Sequence, residues 1–238
     1  MRDLRDVWVY LSASPLLHLT LTLIAYQIGL AVYKRARLNP LCNPVLIAVL
    51  LLLAALIGTG TPYETYFQGA QFVHFLLGPA TVALAIPLYR QFHAVRKSAV
   101  AILVSIVVGS LTASLSAVAI AWALGASTDT LLSIAPKSAT APVAMGIAER
   151  LGGLPSLTAV LVILTGVLGA MLGTYTMNAL GIRNWAARGF AMGTASHGLG
   201  TARALQVNET AGAFAGLAMG LNALATAVLL PLLWRLFF

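Results

Sequence analysis

Charged side chains are scarce in this chain. Of its 238 residues, 8% are charged and six are acidic, whereas soluble domains have about a quarter of their residues charged. Apolar residues make up 60%, and the mean hydropathy is +0.92. A water-soluble fold cannot cover its surface with so little charge. The composition therefore excludes a soluble globular protein and predicts an integral membrane protein.

Cysteine is almost absent as well. The single residue, Cys42, excludes an internal disulfide and a cysteine metal cluster. We expect no metal ion and no cofactor.

Lysine and arginine outnumber the acidic residues, which gives a formal charge of +8. The cations occur in small clusters between apolar runs, at 34–37 and 90–97, as in the cytoplasmic loops of membrane proteins. We therefore expect a lipid bilayer as the partner and no nucleic acid. With both clusters in the cytoplasm, the first helix starts outside.

Two kinds of apolar segment follow one another along the chain. Five are uninterrupted and long enough for about 20 residues per crossing, at 14–33, 41–59, 98–125, 156–181 and 210–236. Three are interrupted by glycine, proline and polar residues, at 68–90, 129–151 and 188–208. The pattern predicts one all-α transmembrane domain over residues 1–238, with about seven or eight membrane segments.

The three interruptions recur at a regular spacing. They fall at Gly78-Pro79, at 136–142 and at 193–200, and 57 residues separate Pro79 from Pro136 and Pro136 from Gly193. Such spacing indicates weak internal repetition. Each break frees peptide groups that hydrocarbon cannot satisfy, so this backbone must lie inside protein or face a water-filled cavity. Broken membrane helices are therefore candidate binding sites.

The sequence leaves the path of segment 129–151 open. If it crosses the membrane, Arg183 and Arg188 lie outside; if it is a re-entrant hairpin, they lie inside, which the distribution of positive charge favours. Hairpins at 129–151 and 188–208 would enter from opposite faces, with the inverted pseudo-symmetry of many carriers.

The second break places a cation and two hydroxyls between prolines. Lys137, Ser138 and Thr140 lie between Pro136 and Pro142 in an otherwise apolar segment. Lys137 either extends its amine to the membrane interface or stays inside, where it needs an anionic partner. The second alternative predicts an anion-binding site.

The third break offers further donors to a carboxylate: hydroxyls, amides of a glycine-rich turn, an imidazole and a guanidinium. Together the two breaks predict a substrate site made of Lys137, Ser138, Thr140, Thr194, Ser196, His197 and Arg203, with helix breaks at Gly193, Gly198 and Gly200 as well as at the prolines. His197 is either a packing residue or a proton carrier. Glu149 and Glu209 are the rival proton sites.

Enzymatic motifs are missing around these residues. No Gly-x-Ser-x-Gly elbow surrounds Ser196, and Gly198 and Gly200 do not follow a soluble strand with an acidic residue downstream. We expect no catalytic residues.

The chain resembles the LrgB/CidB family of bacterial membrane proteins, which is similar to the C-terminal part of the plastid glycolate/glycerate transporter of plants. Three motifs in order carry the resemblance, at residues 77–85 with 87–89, 136–142 with 145–147, and 187–189 with 193–204. The resemblance implies a multi-pass protein of the bacterial inner membrane. It also implies an LrgA/CidA-type membrane partner, and we expect a homo-oligomer.

Three functional hypotheses follow from the breaks and the resemblance. The first is a secondary transporter of small monocarboxylates such as glycolate, glycerate or pyruvate, with Lys137 and Arg203 as charge partners and proton coupling as a secondary feature. The alternative is a holin-like or antiholin-like protein that controls murein hydrolases and cell lysis. The third, a structural partner without transport, conflicts with three costly polar interruptions.

Overall fold

The computed structural model describes residues 15–76, 79, 82–83 and 85–237. In these ranges the regular structure is helical, without strands. The helices are α1 (Pro15–Arg35), α2 (Pro44–Thr59), α3 (Tyr63–Phe75), α4 (Ala85–Arg90), α5 (Phe92–Lys97), α6 (Ala99–Ala123), α7 (Thr128–Ile134), α8 (Ala141–Leu151), α9 (Pro155–Ala179), α10 (Trp185–Val207) and α11 (Glu209–Phe237).

Four of these helices are long and apolar enough to cross a membrane: α1, α6, α9 and α11. Each lies within a few residues of one of the five predicted long segments. The fifth segment corresponds to α2, an apolar helix of 16 residues. The all-α membrane fold is therefore confirmed. The number of crossings and their limits stay predictions, as does the single domain.

The chain divides into two compact units, one up to Ala83 and one from 84 onward. In the first unit, α1 packs against α2 and α3. Gly29 of α1 lies against the backbone of Pro44, and Thr22 shares a hydrogen bond of 3.0 Å with the Tyr66 hydroxyl of α3. Every predicted substrate residue lies in the second unit.

Segment 129–151 folds back on itself. The Ala139 and Ala144 side chains pack together, Ala135 packs with Ile147, and Gly153 lies against the backbone of Leu132 and Ser133. These contacts pair α7 and its following turn with α8 in antiparallel order. We call residues 128–151 the first hairpin and residues 137–140 its tip.

Local hydrogen bonds fix the base of the first hairpin. Ser133 accepts a bond of 2.8 Å from the Leu154 amide through its hydroxyl, and its carbonyl accepts one of 3.0 Å from the Thr158 hydroxyl of α9. Gly152 ends α8 at φ 89°, a left-handed conformation that glycine adopts without a side-chain clash. The chain can therefore turn directly from the hairpin into α9.

Helix α10 is broken at His197, whose φ of 41° and ψ of −131° reverse the chain. Met192 and Ala204 belong to one buried cluster, although 12 residues of straight helix would separate them by about 18 Å. Gly200 lies against the Met192 carbonyl, so the two halves are in close contact. We call residues 185–207 the second hairpin and residues 194–198 its tip.

The two hairpins enter the second unit from opposite ends. Along α9, Thr158 contacts the base of the first hairpin, while Met177 near the other end packs in one cluster with Met192 and Ala204 of the second. Along α11, the order is reversed: Ala211 packs with the second hairpin and Leu230 with the first. The tips therefore meet between the ends of both long helices, as expected for opposed re-entrant hairpins.

Small residues bring the second hairpin close to α11. Methyl groups at Gly189 and Gly193 would overlap the carbonyl oxygens of Ala211 and Ala215, whereas Gly220 faces open space. Close backbone approach of this kind is a principal source of helix association in membranes.

We predict that Gly193→Ala destabilises the protein, because overpacking a tight contact costs about 1–3 kcal/mol. Gly220→Ala is the matched control and should be neutral or slightly stabilising, since alanine favours a helix. Thermal unfolding of the detergent-solubilised variants measures both. Equal unfolding temperatures would contradict the close contact at Gly193.

The reversal at His197 allows a second prediction. His197→Ala and His197→Gly both remove the imidazole, but only alanine keeps a Cβ at positive φ. The glycine variant should therefore be more stable than the alanine variant by about 1 kcal/mol. The same unfolding assay measures the difference, and an alanine variant as stable as glycine would rule out the strained turn.

Candidate functional site

The tips of the two hairpins are joined by one side chain, Asn222 of α11. Its Nδ2 donates to the Ser138 carbonyl oxygen of the first tip at 2.9 Å and to the Thr194 carbonyl oxygen of the second at 3.2 Å. Asn222 is 0% exposed. Since the carboxamide has two N–H groups, these bonds use its full donor capacity.

The orientation of the Asn222 amide follows from its partners. A flipped carboxamide would direct Oδ1 at two carbonyl oxygens, which cannot donate. With Nδ2 toward the carbonyls, Oδ1 is buried and has no hydrogen-bond partner among the described residues. A buried acceptor without a donor is costly, so Oδ1 is a position where a donor from a ligand or water would be stabilising.

Further hydroxyls surround this bridge. Ser110 of α6 and Thr226, one turn beyond Asn222, share a hydrogen bond of 3.0 Å, and both are buried. Gly109 lies beside the Thr194 methyl group. Together α6, α11 and both tips enclose a central polar cluster, formed by Ser110, Ser138, Thr194, Asn222 and Thr226.

Sequence reasoning missed three members of this cluster. Ser110, Asn222 and Thr226 lie in long apolar helices and not in the interrupted segments. The available signal was the pair Asn222 and Thr226, spaced four apart on one helix face near the middle of a membrane segment.

Lys137 lies at the first tip and is half-buried. Its Nζ donates to the Ser138 hydroxyl at 3.4 Å, a long bond. No carboxylate within the described ranges pairs with it. Thr140 precedes the first turn of α8, and its side chain does not bond that turn. The tip therefore presents an ammonium, two hydroxyls and the positive end of a helix.

The predicted residues of the second tip have separate surroundings. His197 is buried, with Nε2 hydrogen-bonded to the Val162 carbonyl of α9 at 2.8 Å, so this nitrogen carries the proton. Ser196 is 1% exposed, and its hydroxyl lies against Gly169 without a hydrogen-bond partner in the part of the chain that the structure describes. The Thr194 hydroxyl donates to Phe190 in its own helix. His197 thus anchors the tip to α9.

The remaining predicted residues lie away from the tips. Arg203 follows His197 by six residues, about 9 Å along the helix, and lines a small cavity at the hairpin base with Arg188. Glu149 is exposed near the end of α8. Glu209 accepts an exposed salt bridge of 3.0 Å from Arg90. The structure does not group these three with Lys137.

The predicted helix-break residues differ in what they do. Pro136 is fully buried in the turn of the first hairpin, and Pro142 stands in the first turn of α8. Gly193 and Gly200 serve close packing, and Gly198 is exposed, one residue after the reversal. Gly78 lies outside the described residues, and Pro79 is helical and exposed.

A cavity of about 740 Å³ leads to the central polar cluster. It runs between α6 and the first half of α10, from Ser98 and Asn184 at one end to Ala113 and Ala195 at the other, and Thr194 lines it. We call it the vestibule. Its walls are mainly apolar, and its inner end lies at the second tip.

One end of the vestibule lies among basic residues of the second unit. Arg90 pairs with Glu209 at the start of α11, and Lys97 directly precedes Ser98, which lines the vestibule. Arg183 precedes Asn184, which lines the same end of the vestibule. We call this the basic end.

Comparison with known proteins identifies relatives over almost the whole length. The LrgB-like family model matches residues 22–236. The uncharacterized protein YxaC of Bacillus subtilis is 43% identical over 217 residues, which are 91% of this chain and 94% of YxaC. No solved structure matches.

Two further relatives have functional names. The holin-like protein CidB of Staphylococcus epidermidis is 33% identical over 96% of this chain and 99% of its own. The antiholin-like protein LrgB of Bacillus cereus is 33% identical over 92% of this chain and 95% of its own length. These names agree with the alternative hypothesis from the sequence, and neither mentions carboxylate transport. The chain belongs to the LrgB-like family of multi-pass bacterial membrane proteins.

Proposed function

We propose that this protein is a secondary transporter of small monocarboxylates that works by alternating access around its two hairpins. The observation that carries the proposal is the meeting of two opposed hairpin tips at Asn222, beside the ammonium of Lys137. Broken segments whose ends converge near the middle of long membrane helices are typical of carrier binding sites.

The first tip suits a carboxylate. The half-buried ammonium of Lys137 has a hydroxyl as its partner, so an incoming anion would gain a charge-assisted hydrogen bond without displacing a protein carboxylate. Ser138 and Thr140 add hydroxyl donors, and the start of α8 adds partial positive charge. A small acid with one carboxylate matches a single ammonium.

The access path supports the same proposal. The vestibule reaches the second tip from the basic end, and clustered lysine and arginine residues favour the cytoplasm. We assign the basic end to the cytoplasmic side, so the described conformation is open inward. Transport would then require the tips to open toward the other side.

The relatives' names support a second candidate function. A holin-like or antiholin-like protein would use the same polar cluster as a regulated conduit, acting with an LrgA/CidA-type partner or as a homo-oligomer. Such a conduit would pass solutes without saturation. Carrier and conduit therefore differ in a measurable way.

We predict saturable, trans-stimulated uptake of at least one of glycolate, glycerate and pyruvate by the purified chain in proteoliposomes. Trans-stimulation requires a site that reorients with its substrate, which an open conduit lacks. An imposed inward proton gradient in the same assay tests proton coupling. Flux that rises linearly with concentration, or flux only with a second subunit, would favour the holin-like candidate.

Lys137→Met should raise the KM for the transported acid at least about tenfold, because it removes the charged partner of the carboxylate. Arg183→Gln is the matched control, since Arg183 is an exposed cation at the basic end, and its KM should match the wild type. Arg203→Met should have the smaller effect of the two site variants because Arg203 lies at the hairpin base. An unchanged KM in Lys137→Met would remove Lys137 from the site.

A further inference from the structure

We infer that the Asn222 carboxamide is the barrier that closes the transport path between the vestibule and Lys137, and that it must release the hairpin tips whenever solute passes. This inference rests on the proposed transport function, because a barrier at Asn222 has a role in a transport cycle only if solute passes this way. Its geometry stands independently, in two hydrogen bonds from one side chain to two different hairpins.

The position of Asn222 fits a barrier. It is the fourteenth of the 29 residues of α11, so about 20 Å of helix lies on either side. That depth corresponds to the middle of a bilayer if α11 spans it. A closure at this level separates the two aqueous sides.

The vestibule ends on one side of this closure. Its inner end is formed by Thr112, Ala113, Thr194 and Ala195, and no described residue of the first hairpin lines it. Lys137 and Ser138 belong to the first tip. The amide that bridges Thr194 to Ser138 therefore stands between the cavity and the ammonium.

The bonding of Asn222 makes this closure stable but reversible. The Ser138 carbonyl oxygen lies in a turn, the Thr194 carbonyl oxygen lies three residues before the break at His197, and the amide donates to both at once. If the tips part, the amide N–H groups need new partners, and a solute or water in the opened path can supply them. Because no described residue donates to Oδ1, this atom does not hold the carboxamide in place.

Alternative roles predict other behaviour. If Asn222 only packs α11 against its neighbours, a side chain of the same shape should preserve the closure. Asn222→Asp tests this directly, because an aspartate carboxylate has the shape of the amide but cannot donate to two carbonyl oxygens. Asn222→Ala removes both donors and the bulk.

Thiol labelling measures the closure without relying on transport. In a Cys42→Ser background the chain has no other cysteine. Ala139→Cys places a reporter on the first tip, where Ala139 is 1% exposed, and Ala195→Cys places one on the exposed wall of the vestibule. A membrane-impermeant maleimide is then added from the basic end.

With Asn222 present, we expect rapid labelling at residue 195 and slow labelling at 139. Asn222→Ala and Asn222→Asp should each accelerate labelling at 139 at least about tenfold and leave 195 unchanged, because two buried hydrogen bonds are lost. Thr226→Val is the matched control on the same helix. It breaks the bond to Ser110 but leaves the bridge, so labelling at 139 should stay slow.

Two results would overturn the inference. The first is slow labelling at residue 139 in both Asn222 variants while residue 195 reacts normally. That result would show that the bridge does not close the path. The second is labelling at residue 139 that is accelerated as much in Thr226→Val as in the Asn222 variants. That result would show a general loosening of the polar cluster. A wild-type protein without saturable uptake would refute the proposed carrier, but the labelling result would still decide the role of Asn222.

Discussion

The second unit depends on how the backbone is satisfied where its helices are interrupted. In hydrocarbon, a peptide carbonyl without a donor is strongly unfavourable, so a broken segment needs donors from elsewhere in the protein. Here those donors are side chains of the unbroken helices: Asn222 of α11 for both tips, and Thr158 of α9 for the base of the first hairpin. The second tip also gives an imidazole N–H to α9 through His197. The long helices therefore determine where the hairpins stop.

The close packing of small residues follows from the same constraint. A hairpin inserted between long helices must bring its backbone near theirs if short side chains are to reach carbonyl oxygens. Gly189 and Gly193 allow this approach to α11, and Gly169 allows it between α9 and Ser196. Larger residues at these positions would hold the tip away from Asn222. Packing and polar bonding are thus two parts of one arrangement.

Much of this architecture was predictable from the sequence because its signals are local. The run from Pro136 to Pro142 and the glycine-rich stretch around His197 identify interrupted helices, and both segments fold back. The central role of Asn222 was not predictable in this way. Its importance comes from two carbonyl groups 84 and 28 residues earlier in the chain, and no local pattern encodes such a meeting. The same limit applies to Arg203, whose place at the hairpin base depends on where the chain reverses.

A carrier and a holin-like conduit have similar structural requirements in this architecture. Both need a polar path across the bilayer, and both are compatible with a vestibule that ends at the hairpin tips. What separates them is whether the path is ever open to both sides at once. In the described conformation, that separation depends on a single buried carboxamide and the two hairpin tips it joins. A protein built in this way changes from obligatory exchange toward leakage when the bridge between its tips is weakened, without any change in the helices around it.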